Sequence, residues 1–316
     1  MSGTGREVVR VTDLVKDFQV GFRMRRRRVL SNVSFSALEG EIFGFVGPNG
    51  AGKTTTLKIL MGLIRPTSGS ASILGRNVAE SEFRDQIGFL PENPYFYPFL
   101  TAREILDFYA RLSGVEAHRR AERVDELLAM VHLTHAADMR LKTFSKGMLQ
   151  RVGVAQALIQ DPSVVFLDEP MSGLDPIGRR EIRELILALR AAGKTVFMNT
   201  HILSDVELIC DRVAIIVKGE IRRQGSMLEL VGDGSASAQI VVSALSADAV
   251  DAIEAGFSVS LRGSGDRVEI VAEAKDVEGI LGVVLRSGGR VVEIKRLAPS
   301  LEDVFMEAVH AAEKDQ

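Results

Sequence analysis

The chain of 316 residues has no tryptophan, three tyrosines and a single cysteine, Cys210. One thiol cannot close an internal disulfide, which excludes a disulfide-stapled scaffold and suits a reducing, cytoplasmic setting. No amino-terminal run has the apolar length of a signal peptide, and none reaches the roughly 20 apolar residues of a membrane span. An excess of charge of either sign is also lacking, at a formal net of −3. That small net hides an asymmetry: residues 1–232 carry 31 basic and 27 acidic side chains, residues 233–316 carry 8 and 15, so +4 is followed by −7. Neither balance offers the concentrated basic surface that the phosphate backbone rewards, so no nucleic-acid partner is expected. What is present is 46% hydrophobic content. That is enough to bury a full core, and the length suggests one large domain and one small one.

Along the chain, Val8 to Phe18, Val33 to Leu38 and Glu41 to Val46 read as short strands, the last a buried apolar one. A helix begins inside Gly50 to Lys58, and residues from about 92 to 160 form a mostly helical subdomain, with apolar spacing in Ile105, Leu106, Tyr109 and Leu112. Val164 to Leu167 and Thr195 to Met198 are two more buried strands flanking a helix from Gly178 to Ala192, an order that implies a parallel sheet. The Gly/Ser segment from Gly232 to Ser237 coincides with the change of charge sign and places a domain boundary at 232/233. The tail reads as strand 239–243, helix 246–255, strands 257–261 and 267–271, helix 275–286, strand 290–296 and a helix after Pro299. That βαββαβ order predicts a small α+β domain of the split-βαβ kind.

Gly47, Pro48, Asn49, Gly50, Ala51, Gly52, Lys53 and Thr54 fit G-x-x-x-x-G-K-[ST], follow an apolar strand and open a helix that continues with Thr55. Glycines there let successive backbone N–H groups turn toward phosphate oxygens. Lys53 reaches the β and γ phosphates of ATP, and Thr54 can ligate Mg²⁺. Downstream, Val164-Val-Phe-Leu-Asp-Glu169 puts Asp168 and Glu169 at the end of a strand, at the carboxyl edge where a parallel sheet gathers its ligand sites. Asp168 suits Mg²⁺, and Glu169 suits deprotonation of the attacking water. Taken alone, an apolar run ending in Asp-Glu is more often a strand entering a solvated turn; it is the pairing with the phosphate loop that points to a site.

With these two motifs in place, the sequence resembles the ABC ATPases, whose remaining motifs appear in family order across residues 10–225. The resemblance implies a P-loop NTPase (RecA-like) α/β core with an antiparallel β subdomain and a helical subdomain. Phe144-Ser-Lys-Gly-Met-Leu-Gln-Arg151 stands where the family has its signature. The resemblance therefore implies that Ser145 and Gly147 contact the γ phosphate bound to a second ATP-binding subunit, in a homo- or heterodimer. Read without the family, Ser-Lys-Gly before a helix is an amino-terminal cap. Ser172-Gly-Leu-Asp175 matches the D-loop, so Asp175 links the two sites, or else forms a polar turn before Pro176. His201 matches the switch histidine that contacts the γ phosphate. Phe18 falls at the adenine-stacking aromatic, although a core phenylalanine fits the same pattern. Most members also serve a separate transmembrane permease, which implies a peripheral place on the cytoplasmic face of the membrane.

The sequence departs from the family at Leu90-Pro-Glu-Asn-Pro94, where Glu92 replaces the usual Q-loop glutamine; a glutamate still ligates Mg²⁺ but adds negative charge beside the reacting phosphates. Phe144, Lys146 and Met148 alter the signature. Pro94-Tyr-Phe-Tyr-Pro-Phe99 is rich in aromatics and suits either a permease socket or packing on the helical subdomain. Arg23 and Arg25 to Arg28 read as a charged connection between the first two strands, solvated or drawn to anionic lipid. Pro299-Ser-Leu-Glu-Asp-Val-Phe305 resembles the terminal box of ATPases serving ABC-2 type exporters and also reads as a capped helix starting at Ser300. The resulting expectation is an ATPase coupled to export. The alternative is an ABC ATPase that drives a mechanical or regulatory function through its partner.

Overall fold

The computed structural model describes residues 5–20, 25–79, 84–232, 237–264, 267–297 and 300–314. Packing divides the chain into one unit of Met1–Ser226 with Glu307–Gln316 and a second of Met227–Met306. The Gly232 to Ser237 segment falls inside the second unit, and its residues 233–236 lie outside those described.

The first unit opens with two long strands, β1 (Glu7–Val20) and β2 (Arg25–Leu38), paired antiparallel. The sequence predicted the second strand only from Val33. Instead Arg25, Arg26, Arg27 and Arg28 lie within β2 and pair with Val20, Gln19, Phe18 and Asp17, so this part of the arginine run is strand and not connection. Arg23 lies outside the described residues. The pairing is maintained despite the charge because Arg25 to Arg28 are all exposed, and Arg28 Nε donates to Asp17 Oδ1 at 3.0 Å. Next come the fully buried β3 (Ile42–Val46) and α1 (Lys53–Leu60), then β4 (Ser68–Ile73), β5 (Arg76–Asn77) and β6 (Ile87–Leu90).

Three helices follow, α2 (Ala102–Leu112), α3 (Ala117–Met130) and α4 (Lys146–Ala157). The first begins at a complete capping box: Thr101 accepts from the Glu104 backbone and Glu104 accepts from that of Thr101. The core then resumes with β7 (Val164–Asp168), α5 (Pro176–Ala191), β8 (Thr195–Thr200), α6 (Leu203–Ile209), β9 (Arg212–Val217) and β10 (Glu220–Ser226).

One sheet has the order β2-β1-β4-β5; the other runs β10-β9-β3-β8-β7-β6, parallel from β9 through β6. Strands β3, β7 and β8 are buried at every position, as expected of a parallel sheet covered on both faces. Between the sheets, Phe35, Phe43, Phe45, Phe166 and Phe197 cluster with ring centroids 5.0–5.8 Å apart. Phe197 touches the other four and is fully buried.

The second unit holds α7 (Met227–Val231), β11 (Ser237–Ser243), α8 (Ala247–Gly256), β12 (Val259–Ser264), β13 (Arg267–Glu273), α9 (Val277–Arg286) and β14 (Arg290–Leu297). From β11 onward this is the βαββαβ order read from the sequence, in a sheet ordered β12-β13-β11-β14 with every pair antiparallel. Ile253, Ile280 and Val284 of its helices pack on Ile240, Val242 and Ile270 of the sheet. The closing helix α10 (Leu301–Lys314) starts as anticipated, with Asp303 N donating to Ser300 Oγ at 3.1 Å. Its far end belongs to the first unit, where Lys218 Nζ donates to Ala312 O at 3.0 Å.

Because Phe197 joins the aromatic cluster, Phe197→Ala should cost about 3–5 kcal/mol, read as a lowered denaturant midpoint, with Phe197→Leu much milder. Equal midpoints for the alanine variant and the parent would contradict this packing account.

Candidate functional site

Four parallel strands deliver their carboxyl ends to one edge, and the sequence motifs sit there. β3 leads into the glycine loop and α1, β6 into Glu92, β7 into Asp168 and Glu169, and β8 into His201. Ladder register aligns these ends, with Val46 opposite Thr200 and Asp168 opposite Asn199. A cleft of about 380 Å³ opens at this edge. Asn49, Gly50, Gly52, Lys53, Thr54, Thr55, Glu92, Glu169 and His201 line it, joined by Arg27 and Val29 from β2.

Local chemistry explains the loop. Gly50 and Gly52 have φ of +80° and +112°, a region that penalises any Cβ, and a Cβ on Gly47 would stand 2.3 Å from Ile216 O. Lys53 is buried, and its ammonium donates to Gly47 O at 2.7 Å and Pro48 O at 3.4 Å. Burial pulls the Lys53 ammonium below its ordinary range, while Glu169, Asp168 and Glu92 pull it back up.

Asp168 is buried and accepts from Asn199 Nδ2 at 2.5 Å. Burial pushes its carboxyl above the ordinary value, against the Asn199 hydrogen bond; Glu169 and Glu92 push the same way, and Lys53 opposes. Glu169 is buried and held at φ +49°, an uncommon conformation for a residue with a side chain and one that concentrates at functional sites. Its Oε2 accepts from Thr200 Oγ1 at 3.2 Å and from His201 N at 3.4 Å, with His201 Nδ1 2.8 Å away; Oε1 lies 3.9 Å from Lys53 Nζ. One carboxylate oxygen is thus tied down on β8 while the other faces Lys53.

The remaining sequence candidates sit elsewhere. Ser145, Lys146, Gly147, Gly173, Leu174, Asp175 and Gly178 are among the residues lining a separate cleft of about 330 Å³, which shares none of its lining with the first. Ser145 caps α4 by accepting from Met148 N, and Asp175 caps α5 by accepting from Gly178 N at 2.7 Å, so the ordinary capping roles are both real. Phe18 is half-buried and absent from the core, with Lys16 Nζ 4.9 Å from its ring centroid. Arg27 and Val29 are cleft residues that the sequence reading missed. The ladder between β1 and β2, which sets Arg27 opposite Phe18, is what gives them this place.

A glycine loop at the start of a helix, an acid pair at a strand end and a histidine just past the end of the intervening strand make a nucleotide-hydrolysing arrangement, and comparison with known proteins agrees. The ABC transporter family model matches residues 30–172. An uncharacterized ABC transporter ATP-binding protein of Synechocystis is 41% identical over 316 residues, covering 95% of this chain and 84% of its own.

The chain belongs to the ABC transporter ATP-binding proteins.

The bacitracin transport ATP-binding protein BcrA of Bacillus licheniformis is 41% identical over 217 residues, 68% of each chain. A dimeric ATP-binding cassette solved in a post-hydrolysis state with ADP and Pi aligns at TM-score 0.63 and 28% identity, covering 69% of this chain and 98% of that one. This ABC ATPase binds and hydrolyses ATP, on the RecA-like core expected from its motifs. Among its described residues no helix is long and apolar enough to cross a membrane.

The oxygen donors of Thr54, Glu92 and Asp168 suit a hard divalent cation, since three carboxylates in this region face one lysine. For Asp168 the pH dependence has a definite sign. Its folded pKa lies above the ordinary 3.8, so its stabilising contribution is present at low pH and is lost as the pH rises through the raised folded value. Asp168→Asn should therefore unfold at a higher denaturant midpoint than the parent at neutral pH, the gap closing as the pH falls toward 3.8. A variant less stable than the parent at neutral pH would contradict that electrostatic picture.

Proposed function

We propose that this chain is the ATP-hydrolysing subunit of an exporter of the ABC-2 type. In this reading it pairs head to tail with a second copy of itself and docks on the cytoplasmic face of a separate membrane permease. The observation that carries the pairing is the division of the motifs between two clefts with no shared lining residue. Each chain holds both halves, so two copies placed head to tail complete two sites.

Gly147 adds to this. Its φ is not positive, and a Cβ on it would meet nothing nearer than Ser145 Oγ at 3.9 Å, so the chain's own fold does not require glycine there. A phosphate arriving from a partner's cleft does.

In the completed site, the loop N–H groups and Lys53 hold the β and γ phosphates, with Ser145 and Gly147 of the second copy closing over the γ phosphate. Thr54, Asp168 and Glu92 are the residues that would hold Mg²⁺, which would supply positive charge against the phosphate oxygens. Glu169, with Oε2 fixed by Thr200 and His201, takes the proton of the attacking water through Oε1. His201 then faces the γ phosphate, and Asp175, at the head of α5, couples the two sites.

Docking is supported by Tyr95, Tyr97 and Phe99, which are 83%, 57% and 71% exposed on the loop that follows Glu92. Large exposed aromatics are anchors for a partner. Export is supported by the bacitracin transport relative and by the Ser300 to Phe305 box at the start of α10.

Glu169→Gln removes the proton acceptor and leaves the cleft's shape. With ATP it should double in mass by light scattering and lose turnover. A monomer under saturating ATP, or hydrolysis at the parental rate, would refute the pairing and the base assignment respectively.

A further inference from the structure

The ATP cleft contains a cation that none of the motifs assigns. Arg27 lines it from β2 together with Val29, two residues on and therefore on the same strand face. In the β1–β2 ladder Arg27 pairs directly with Phe18, and directly opposed residues present their side chains to one face. Its neighbour Arg28 is spent on Asp17, at 3.0 Å from Nε to Oδ1. The exposed Arg27 guanidinium has no hydrogen bond or ion pair among the described residues.

A nucleotide brings two chemically different parts to this cleft. The phosphates have the loop N–H groups and Lys53. The base is a flat π system that needs apolar or planar cationic surface, and Val29 is the single aliphatic side chain longer than a methyl among the described lining residues. A guanidinium is planar, weakly hydrated and suited to stacking on an aromatic face.

We infer that Arg27 forms a base platform with Phe18 and Val29, its guanidinium stacking on the nucleobase of bound nucleotide. The arginine run at the start of β2 thereby acquires one member with a specific task. The inference rests on nucleotide occupying this cleft, and the controls separate the two ideas.

The test is calorimetric titration of the full-length chain with ADP and, separately, with inorganic tripolyphosphate, which has no base. Arg27→Ala should weaken ADP about tenfold and leave tripolyphosphate unchanged, since base stacking on a side chain is typically of that order. Arg26→Ala, the same charge change one residue away on the other strand face, should leave ADP within about twofold of the parent. Arg27→Gln provides the same comparison if the alanine variant does not fold. Equal weakening of tripolyphosphate would place the guanidinium on the phosphates and overturn the inference, as would unchanged ADP binding. Lys53→Ala should lose both ligands; if it kept both, the cleft itself would be the wrong site and the inference would fall with it.

Discussion

Everything at the site depends on one electrostatic arrangement, the buried ammonium of Lys53 held among the carboxylates of Asp168, Glu169 and Glu92 at a single sheet edge. Burial works against the charged forms of both Lys53 and Asp168, and each opposes the other's penalty only in part. Such a cluster is an unsatisfied design on its own. A polyanion entering together with a hard cation, as proposed above, would satisfy it, which makes nucleotide binding and the geometry of the loop one problem.

The fold answers that problem by parallel pairing. Because β3, β8, β7 and β6 run the same way, their carboxyl ends reach one edge without any need for long loops. The phenylalanine cluster beneath keeps these strands in register, so the hydrolytic groups stand on rigid elements. The strain at Glu169 is tolerable for the same reason: its backbone N–H still finds Asn199 O at 2.8 Å, and its carboxylate is tied to Thr200 and His201. The groups proposed to meet a partner lie instead at helix starts, where Ser145 and Asp175 combine capping with exposure. Capping alone accounts for those two residues, whereas it leaves Gly147 without a reason inside its own chain.

Much of this was legible in the sequence because it is local. The Gly47 to Thr54 loop, the Asp168-Glu169 pair and the βαββαβ tail each declare themselves within a few residues of spacing. What was missed is long-range. Arg25 to Arg28 look like a solvated charge run until they are paired with the end of β1, and no periodicity within the run reveals that pairing. The short strand Ile87–Leu90 carries Glu92 to the edge, yet its glycine obscures it as a strand. Gly88 is there because a Cβ would stand 2.1 Å from Ala157 O, a fact of tertiary packing. Resemblance to a family placed Glu92 and Ser145 where residue chemistry alone did not.

The central claim is that hydrolysis needs a phosphate loop from one chain and a signature from another. The direct measurement is ATPase activity after mixing Lys53→Ala and Gly147→Ala proteins, each inactive alone. A shared site predicts recovered activity on mixing, because one of the two sites in the mixed pair contains neither substitution. If each chain hydrolysed ATP with its own residues, the mixture would stay as inactive as its components, and the paired account would be wrong.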